Sequence, residues 1–298
     1  MLIKILRERV KVSGIDPFGR KTRIIFLPPA DATVNGYRYT SWLWQRMVND
    51  RVCVSTIESS LAKGRPRRIA LMQNNSVLEV IEHITPLRWF GILGLTIDGS
   101  GWPPYFGRTW EFYAALHESL ETLQHKVEWC TSSKQIKFSH QDTLGGYTTF
   151  KPSEKPGLHV RIVINYQGLG ECELSRTFPE DLSQLKKDMG AYTPGIPHTL
   201  YYLSLLGNAL RVWKHHNHIS WVYALSGKKA LQQFAQHRLV DFLGALALTH
   251  PTRLPAGTVE SICGGHKSDL LLVRKIQEEL VHIEERAPIH KNAIALSY

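Results

Sequence analysis

The sequence predicts an α+β fold, and two observations carry that prediction. Short β-rich runs bounded by Gly, Pro, Asn and Asp recur in both halves of the 298 residues. Helical-period segments are fewer and fall among them, without the regular strand–helix alternation of a doubly wound parallel sheet. No internal repeat or low-complexity tract competes with this reading.

In order along the chain, Lys4 to Val12, Thr22 to Phe26, Tyr37 to Tyr39 and Val52 to Thr56 read as strands. Turn signals separate them at Ser13-Gly14, Asp16-Pro17-Phe18-Gly19, Pro28-Pro29 and Asn35-Gly36. Ser59 to Arg68 reads as a polar, basic loop, and Ile69 to Met72 as a strand leading into the turn Gln73-Asn74-Asn75-Ser76. Val77 to Gly91 is apolar and broadly helical. Pro86 is tolerated only in a first helical turn, so that helix should begin near Glu82 or His83. Leu93 to Ile97 is a strand, Asp98 to Gly107 a Gly/Pro-rich loop, and Trp110 to Leu123 an amphipathic helix with Phe112, Leu116, Leu120 and Leu123 on one face.

His125 to Lys134 reads as the passage into a second half. That half opens with strands at Ile136 to Ser139, Tyr147 to Lys151, Leu158 to Tyr166 and Cys172 to Phe178. A helix follows at Asp181 to Met189, then an apolar segment from Thr199 to Val212 and a strand from Ile219 to Leu225. The run from Lys228 to Thr249 is a long helix on which Leu231, Phe234, Leu239, Phe242, Leu243 and Leu246 recur at helical spacing. Val259 to Cys263 is the last expected strand and His266 to Glu285 the last helix.

Composition is that of an ordinary globular protein, and no apolar run reaches the ~18 residues needed to span a bilayer. Met1 to Leu6 carries no signal-peptide pattern, so a cytoplasmic location is expected. Cys53, Cys130, Cys172 and Cys263 are scattered with no CxxC, which points to free thiols rather than disulfides or a four-cysteine zinc site. The net charge of +10 is dispersed, densest from Arg65 to Arg68. It suits an anionic partner: a phosphorylated small molecule, an anionic membrane surface met transiently, or nucleic acid. No nucleic-acid module is present, and no nucleic-acid partner is expected.

Three stretches carry chemistry. On the long helix His237 and Asp241 are four apart, so imidazole and carboxylate project from one face and can share a divalent metal. Taken alone, such a pair is more often merely solvated. Glu82-His83 opens the earlier helix, and Cys263-Gly264-Gly265-His266-Lys267 is a glycine turn that presents His266 before the last helix. A metallohydrolase needs three protein ligands, a general base and a proton donor for the leaving group. His83, His237 and Asp241 would supply the ligands, Glu82 the base and His266 the acid. Spacing alone does not force the three stretches together. His215, His216 and His218 read as a solvated turn rather than a second metal site.

The order of these motifs resembles UDP-3-O-acyl-N-acetylglucosamine deacetylase, the zinc amidase family of lipid A biosynthesis. Glu82-His83 matches that family's Glu-His pair. His237-Arg238-Leu239-Val240-Asp241-Phe242-Leu243-Gly244 matches its His-Lys-x-x-Asp-x-x-Gly helix, Gly264-Gly265-His266 its Ser-Gly-His turn, and Arg176-Thr177-Phe178 its Arg-Thr-Phe. The first hairpin is also similar, from Val10 to Gly14 and Gly19 to Thr22.

The resemblance implies two similar domains, residues 1–126 and 127–298. Each would be a two-layer α/β sandwich, the two packed with their helices inside and a zinc cleft between them. It implies zinc on His83, His237 and Asp241, with Glu82 activating the attacking water. Thr177 would stabilise the oxyanion and His266 would act as general acid. Arg238, Phe178 and Lys267 are expected to contact the substrate, a nucleotide-linked acylated amino sugar, in a monomeric enzyme. Ala245 stands where the family has an aspartate that partners the acid histidine, so a lower pKa is expected for His266. That departure supports the alternative, a divergent paralogue with little or no turnover that acts by binding or regulation.

Overall fold

The chain begins with strands whose inward residues are apolar. Its computed structural model describes residues 1–16, 20–29, 42–65, 68–104, 108–140, 146–166, 170–191 and 228–283. The first strands are β1 (Leu2–Leu6), β2 (Val10–Ile15), β3 (Lys21–Leu27), β4 (Trp42–Val48) and β5 (Arg51–Thr56). A small antiparallel sheet follows, made of β6 (Ala62–Arg65), β7 (Arg68–Gln73) and β8 (Ser76–Leu78). The β7–β8 hairpin turns through Asn74 and Asn75, both at positive φ (49° and 61°), a conformation that asparagine tolerates well. β9 (Ile92–Asp98) is buried along nearly its whole length, as suits a strand pairing in parallel with β1 and β4 and antiparallel with β3. The order of the larger sheet is β10-β1-β9-β3-β2, with β4 and β5 branching from β9, where β10 is Leu120–Lys126.

Several expectations need correction here. The strand foreseen from Lys4 to Val12 is two, because Arg7, Glu8 and Arg9 are exposed and break it. Ser13-Gly14 is not a turn but part of β2, paired with Arg23 and Thr22. β4 was not foreseen; its Trp42 and Trp44 point into the core, with indole N–H groups donating to Ile92 O (2.8 Å) and Gly99 O (2.8 Å). The expected loop Ser59 to Arg68 contains β6. Val77 to Gly91 holds β8's end and then two buried 3-10 helices, Ile81–His83 and Thr85–Phe90, with Pro86 in the first turn of the second. The helix α1 (Thr109–Leu116) stops short of Leu123, since Leu120 and Leu123 lie on β10, which pairs antiparallel with β1. A long-range strand partner outweighs the local helical period there.

The expected passage from His125 to Lys134 is largely strand, the end of β10 and β11 (Glu128–Ser132). β12 (Ile136–Ser139), β13 (Tyr147–Pro152), β14 (Leu158–Tyr166) and β15 (Gly170–Phe178) follow much as expected, then α2 (Leu182–Asp188) and the long helix α3 (Lys228–Leu246). β16 (Arg253–Pro255), β17 (Gly257–Ile262), α4 (His266–Glu278) and β18 (Leu280–His282) complete the described chain. The last helix therefore ends at Glu278 rather than Glu285, and β18, not Val259 to Cys263, is the last strand; it is held by β11 through Cys130, Thr131 and Ser132. One sheet runs β12-β13-β17-β14-β15 and another β16-β11-β18. The result is a sheet-rich mixture of α and β. The strand expected at Tyr37 to Tyr39, the segments Thr199 to Val212 and Ile219 to Leu225, and His215, His216 and His218 lie outside the described residues.

At the centre lies α3. It packs against β14, β15, α2 and α4, and also against both 3-10 helices of the first half. Every residue from His237 to Thr249 is buried. Leu239, Phe242, Leu243 and Leu246 join the common apolar core, as their spacing predicts. The last carbonyls of a helix have no partner within it, and here the first half supplies them. Thr85 Oγ1 lies 2.7 Å from Gly244 O, Trp89 Nε1 donates to Leu243 O at 2.9 Å, and Arg88 donates to Ala247 O and, at 2.8 Å, to His250 O. Arg88 is wholly buried and has no carboxylate partner among the described residues. The partial negative charge at the end of α3 compensates it instead. Among the described residues no helix is long and apolar enough to cross a membrane.

Candidate metal centre

Because α3 is buried all round from His237 onward, the polar residues His237, Arg238 and Asp241 must find partners or a ligand there. His237 and Asp241 stand one turn apart, with His237 Nε2 at 3.4 Å from Asp241 Oδ1. The 3-10 helix of the first half brings His83 to the same oxygen, its Nε2 3.0 Å away. The two imidazoles meet edge to face, with centroids 5.0 Å apart. One donor atom from each of the three residues lies within 4.8 Å of the others, so the group could hold a metal ion. His83 is 6% exposed, His237 7% and Asp241 4%.

The sequence explains why this approach is so close. Gly244 has no Cβ, and a Cβ there would sit 2.0 Å from Glu82 O and 2.8 Å from Glu82 Cα. The absent side chain thus lets the backbone of Glu82-His83 lie directly on α3. Thr109, the first residue of α1, fixes the other side by donating its hydroxyl to His83 O. The ring of His237 also hydrogen-bonds the Ala191 backbone, the kind of outer contact that sets the tautomer of a ligating histidine.

Electrostatics favour the ligating forms. Burial pushes His237 down to about 4, so its ring is neutral at pH 7. Burial alone would raise Asp241, but His237 and His83 hold its carboxyl below the usual carboxylate range. Asp241 Oδ1 lies close to both imidazoles, with His83 the nearer. Glu82 is 0% exposed, and neither of its carboxylate oxygens has a hydrogen-bond partner among the described residues. Burial pushes its carboxyl above the ordinary range, with His266 and His83 working against that rise. Two buried imidazoles and one carboxylate, beside the buried oxygens of Glu82, make a donor set that fits a divalent metal.

His266 opens α4 and reaches the same place, its Nε2 3.8 Å from Asp241 Oδ2 and 4.0 Å from Glu82 Oε1. Five of the nine residues expected from the sequence are thereby brought together: Glu82, His83, His237, Asp241 and His266. Two other carboxylates of this half are engaged elsewhere, Asp269 by Arg238 and Glu260 by Arg161 and Tyr147. Ala245 itself is buried.

The other four residues stand differently. Arg238 is buried and engaged by Asp269 through both terminal nitrogens, one at 2.7 Å, while its Nε donates to Gly264 O at 3.1 Å. Its fork is thus occupied from inside the protein. Phe178 is 1% exposed and packs in the core on Trp89, with ring centroids 5.5 Å apart. Thr177 is not brought to the group. Its Oγ1 lies 2.9 Å from His159 Nδ1 on the adjacent strand, on the sheet face of exposed Ser175 and Glu173, opposite Phe178. Lys267 is exposed beside His266 and packs near Gly64 of β6.

Sequence reasoning missed Thr85, Arg88, Trp89 and Thr109, which fasten the Glu82-His83 segment, and the Arg238–Asp269 pair. Pairing at such separations leaves no local pattern to read. No family model matches the chain, and no curated protein matches it.

Proposed function

We propose that the protein is a zinc-dependent amidohydrolase that deacetylates an N-acetylated amino sugar, UDP-3-O-acyl-N-acetylglucosamine or a related compound. One observation carries the reading most. Glu82 is a fully buried carboxylate whose oxygens have no hydrogen-bond partner among the described residues, set beside three convergent ligand atoms. A carboxylate with a purely structural role would be bound to an arginine or to backbone N–H groups.

His83, His237 and Asp241 would hold zinc, which accepts imidazole and carboxylate together and leaves a position open. When bound, the metal supplies a Lewis acid that polarises the amide carbonyl and makes water more acidic. Glu82, its carboxyl raised by burial, takes a proton from the attacking water. His266, within 4.0 Å of Glu82, gives a proton to the sugar nitrogen as the C–N bond breaks. Acetate and the free amine leave. The net charge of +10 suits a substrate that carries a diphosphate.

The same reading takes residues 1–126 and 127–298 as two α+β domains facing each other across the centre. The strand pairing supports it: β1–β10 pair only among themselves and β11–β18 likewise, among the described residues. A second reading, a binding or regulatory protein without turnover, draws on Ala245 and on an Arg238 already engaged by Asp269.

The test is deacetylation of UDP-3-O-acyl-N-acetylglucosamine by zinc-loaded protein, beside its Glu82→Ala variant. Turnover is expected to fall about 10²- to 10⁴-fold in the variant with zinc still bound. Equal, negligible turnover in both, with zinc confirmed in each, overturns the enzyme reading in favour of the binding one.

A further inference from the structure

His266 sits at the end of a turn that should not hold still. Gly264 and Gly265 both precede it, and glycine restrains the backbone least of all residues. The family that the chain resembles has a carboxylate at the place of Ala245, and here, among the described residues, no carboxylate approaches His266 apart from Glu82 and Asp241. Something else must set the ring against the metal group.

Arg238 makes contacts suited to that task. It follows the ligand His237 by one residue, so it leaves α3 about 100° round the helix from it and faces α4. Its Nε donates to Gly264 O inside the turn, and its two terminal nitrogens grip Asp269 in the first turn of α4. Gly264 fits under this fork only without a side chain, since a Cβ would lie 2.4 Å from Ser261 Oγ and 3.1 Å from Arg238 Nη2. His140 Nδ1 adds a contact to Cys263 O at 3.3 Å, and Ser268 Oγ closes the helix start on Gly265.

We infer that Arg238, paired with Asp269, is the positioning residue that holds His266 against Glu82 and Asp241, in the absence of a carboxylate at 245. This rests on the amidohydrolase reading for its consequence in turnover, but the positioning itself does not. One rigid helix thereby carries two ligands and the restraint on the acid. Both members of the pair are buried, so no water competes for the fork. Lysine cannot replace it, because a point charge does not span a carbonyl and both carboxylate oxygens.

The test uses the full chain with zinc, as wild type, Arg238→Lys and Asp269→Asn. The first reading is the rate at which diethylpyrocarbonate modifies each histidine, followed by peptide mass mapping, and it needs no substrate. His266 is expected to react about fivefold faster in both variants, with exposed His117 unchanged as the internal standard and zinc content unchanged. The second reading is kinetic: kcat falls while KM stays, since the substrate's binding contacts are left in place. Unchanged His266 reactivity overturns the inference. So does a rise shared by all buried histidines with loss of zinc, which marks general loosening. If Arg238→Lys does not fold, Asp269→Asn carries the same outcomes. A wild type that binds zinc and protects His266 but does not turn over sinks the amidohydrolase reading alone.

Discussion

Two segments deliver side chains to the same helix, and they are fastened in opposite ways. The Glu82-His83 segment lies flat on α3, with no side chain between its backbone and Gly244, and Thr85, Arg88 and Trp89 reach into the end of the helix. The His266 turn is tied to α3 by one charged fork, Arg238 with Asp269 and Gly264 O, beside the approach of His266 itself to Asp241. The first attachment is spread over several neutral acceptors, and the second is concentrated in one ion pair. On the proposed reading the first segment carries a metal ligand, which must not move once the metal is held. The second carries a proton donor, which needs only a defined resting place, so the fastening matches the proposed tasks.

The largest expected effect breaks the first attachment. Gly244→Ala would place a methyl group 2.0 Å from Glu82 O, against backbone that cannot give way as a side chain can. The variant should lose about 3 kcal/mol of stability and most of its zinc affinity. Calorimetry together with metal analysis of the dialysed protein would show it; a variant that melts with the wild type and keeps its zinc would mean that the contact is not needed.

A smaller effect separates the two attachments by pH. Burial first, then the cations Arg253 and Arg88, push His250 down to about 4. In the unfolded chain it takes up a proton near 6.5, whereas the folded protein refuses one until about 4. The unfolded state therefore binds more protons across that window, and stability that is full above pH 6.5 is lost as pH falls toward 4. With allowance for screening at a half-buried site, the loss is about 2 kcal/mol. His250 O accepts from Arg88, so acid weakens the anchored side of the site. Melting of metal-free protein at pH 7.5 and 4.5 should differ less for His250→Gln than for wild type, and equal differences would contradict this account.

The smallest effect concerns Thr177. With its hydroxyl turned to His159 on the far face of the sheet, Thr177→Val should cost under about 1 kcal/mol and leave kcat within roughly twofold of wild type. A drop of a hundredfold in kcat would restore it to the oxyanion role.

What could be read from sequence followed the range of the interactions involved. His237 and Asp241 belong to one helix, so their common face was legible from spacing, and the resemblance supplied Glu82, His83 and His266. β14 was legible because β-branched and apolar residues fill it, and β15 because Cys172, Leu174 and Phe178 alternate with polar residues. Leu120 and Leu123 misled, since they continue a helical period that the pairing with β1 overrides. The partner of Arg238 was not legible from its motif position, because Asp269 lies 31 residues on and on another helix. Thr177 and Phe178 sit in the expected strand, but which face each would occupy depended on the pleat and on Trp89, 89 positions earlier in the chain.

The bonds between the Thr85–Phe90 helix and the end of α3 have a temporal consequence. They join residues 154 to 162 positions apart. During synthesis Glu82 and His83 emerge well before the helix that receives them, and closing so long a loop is entropically unfavourable until most other contacts exist. The His83–His237–Asp241 group is accordingly among the last parts of the chain to assemble, and a nascent chain that stops before α3 lacks two of its three members.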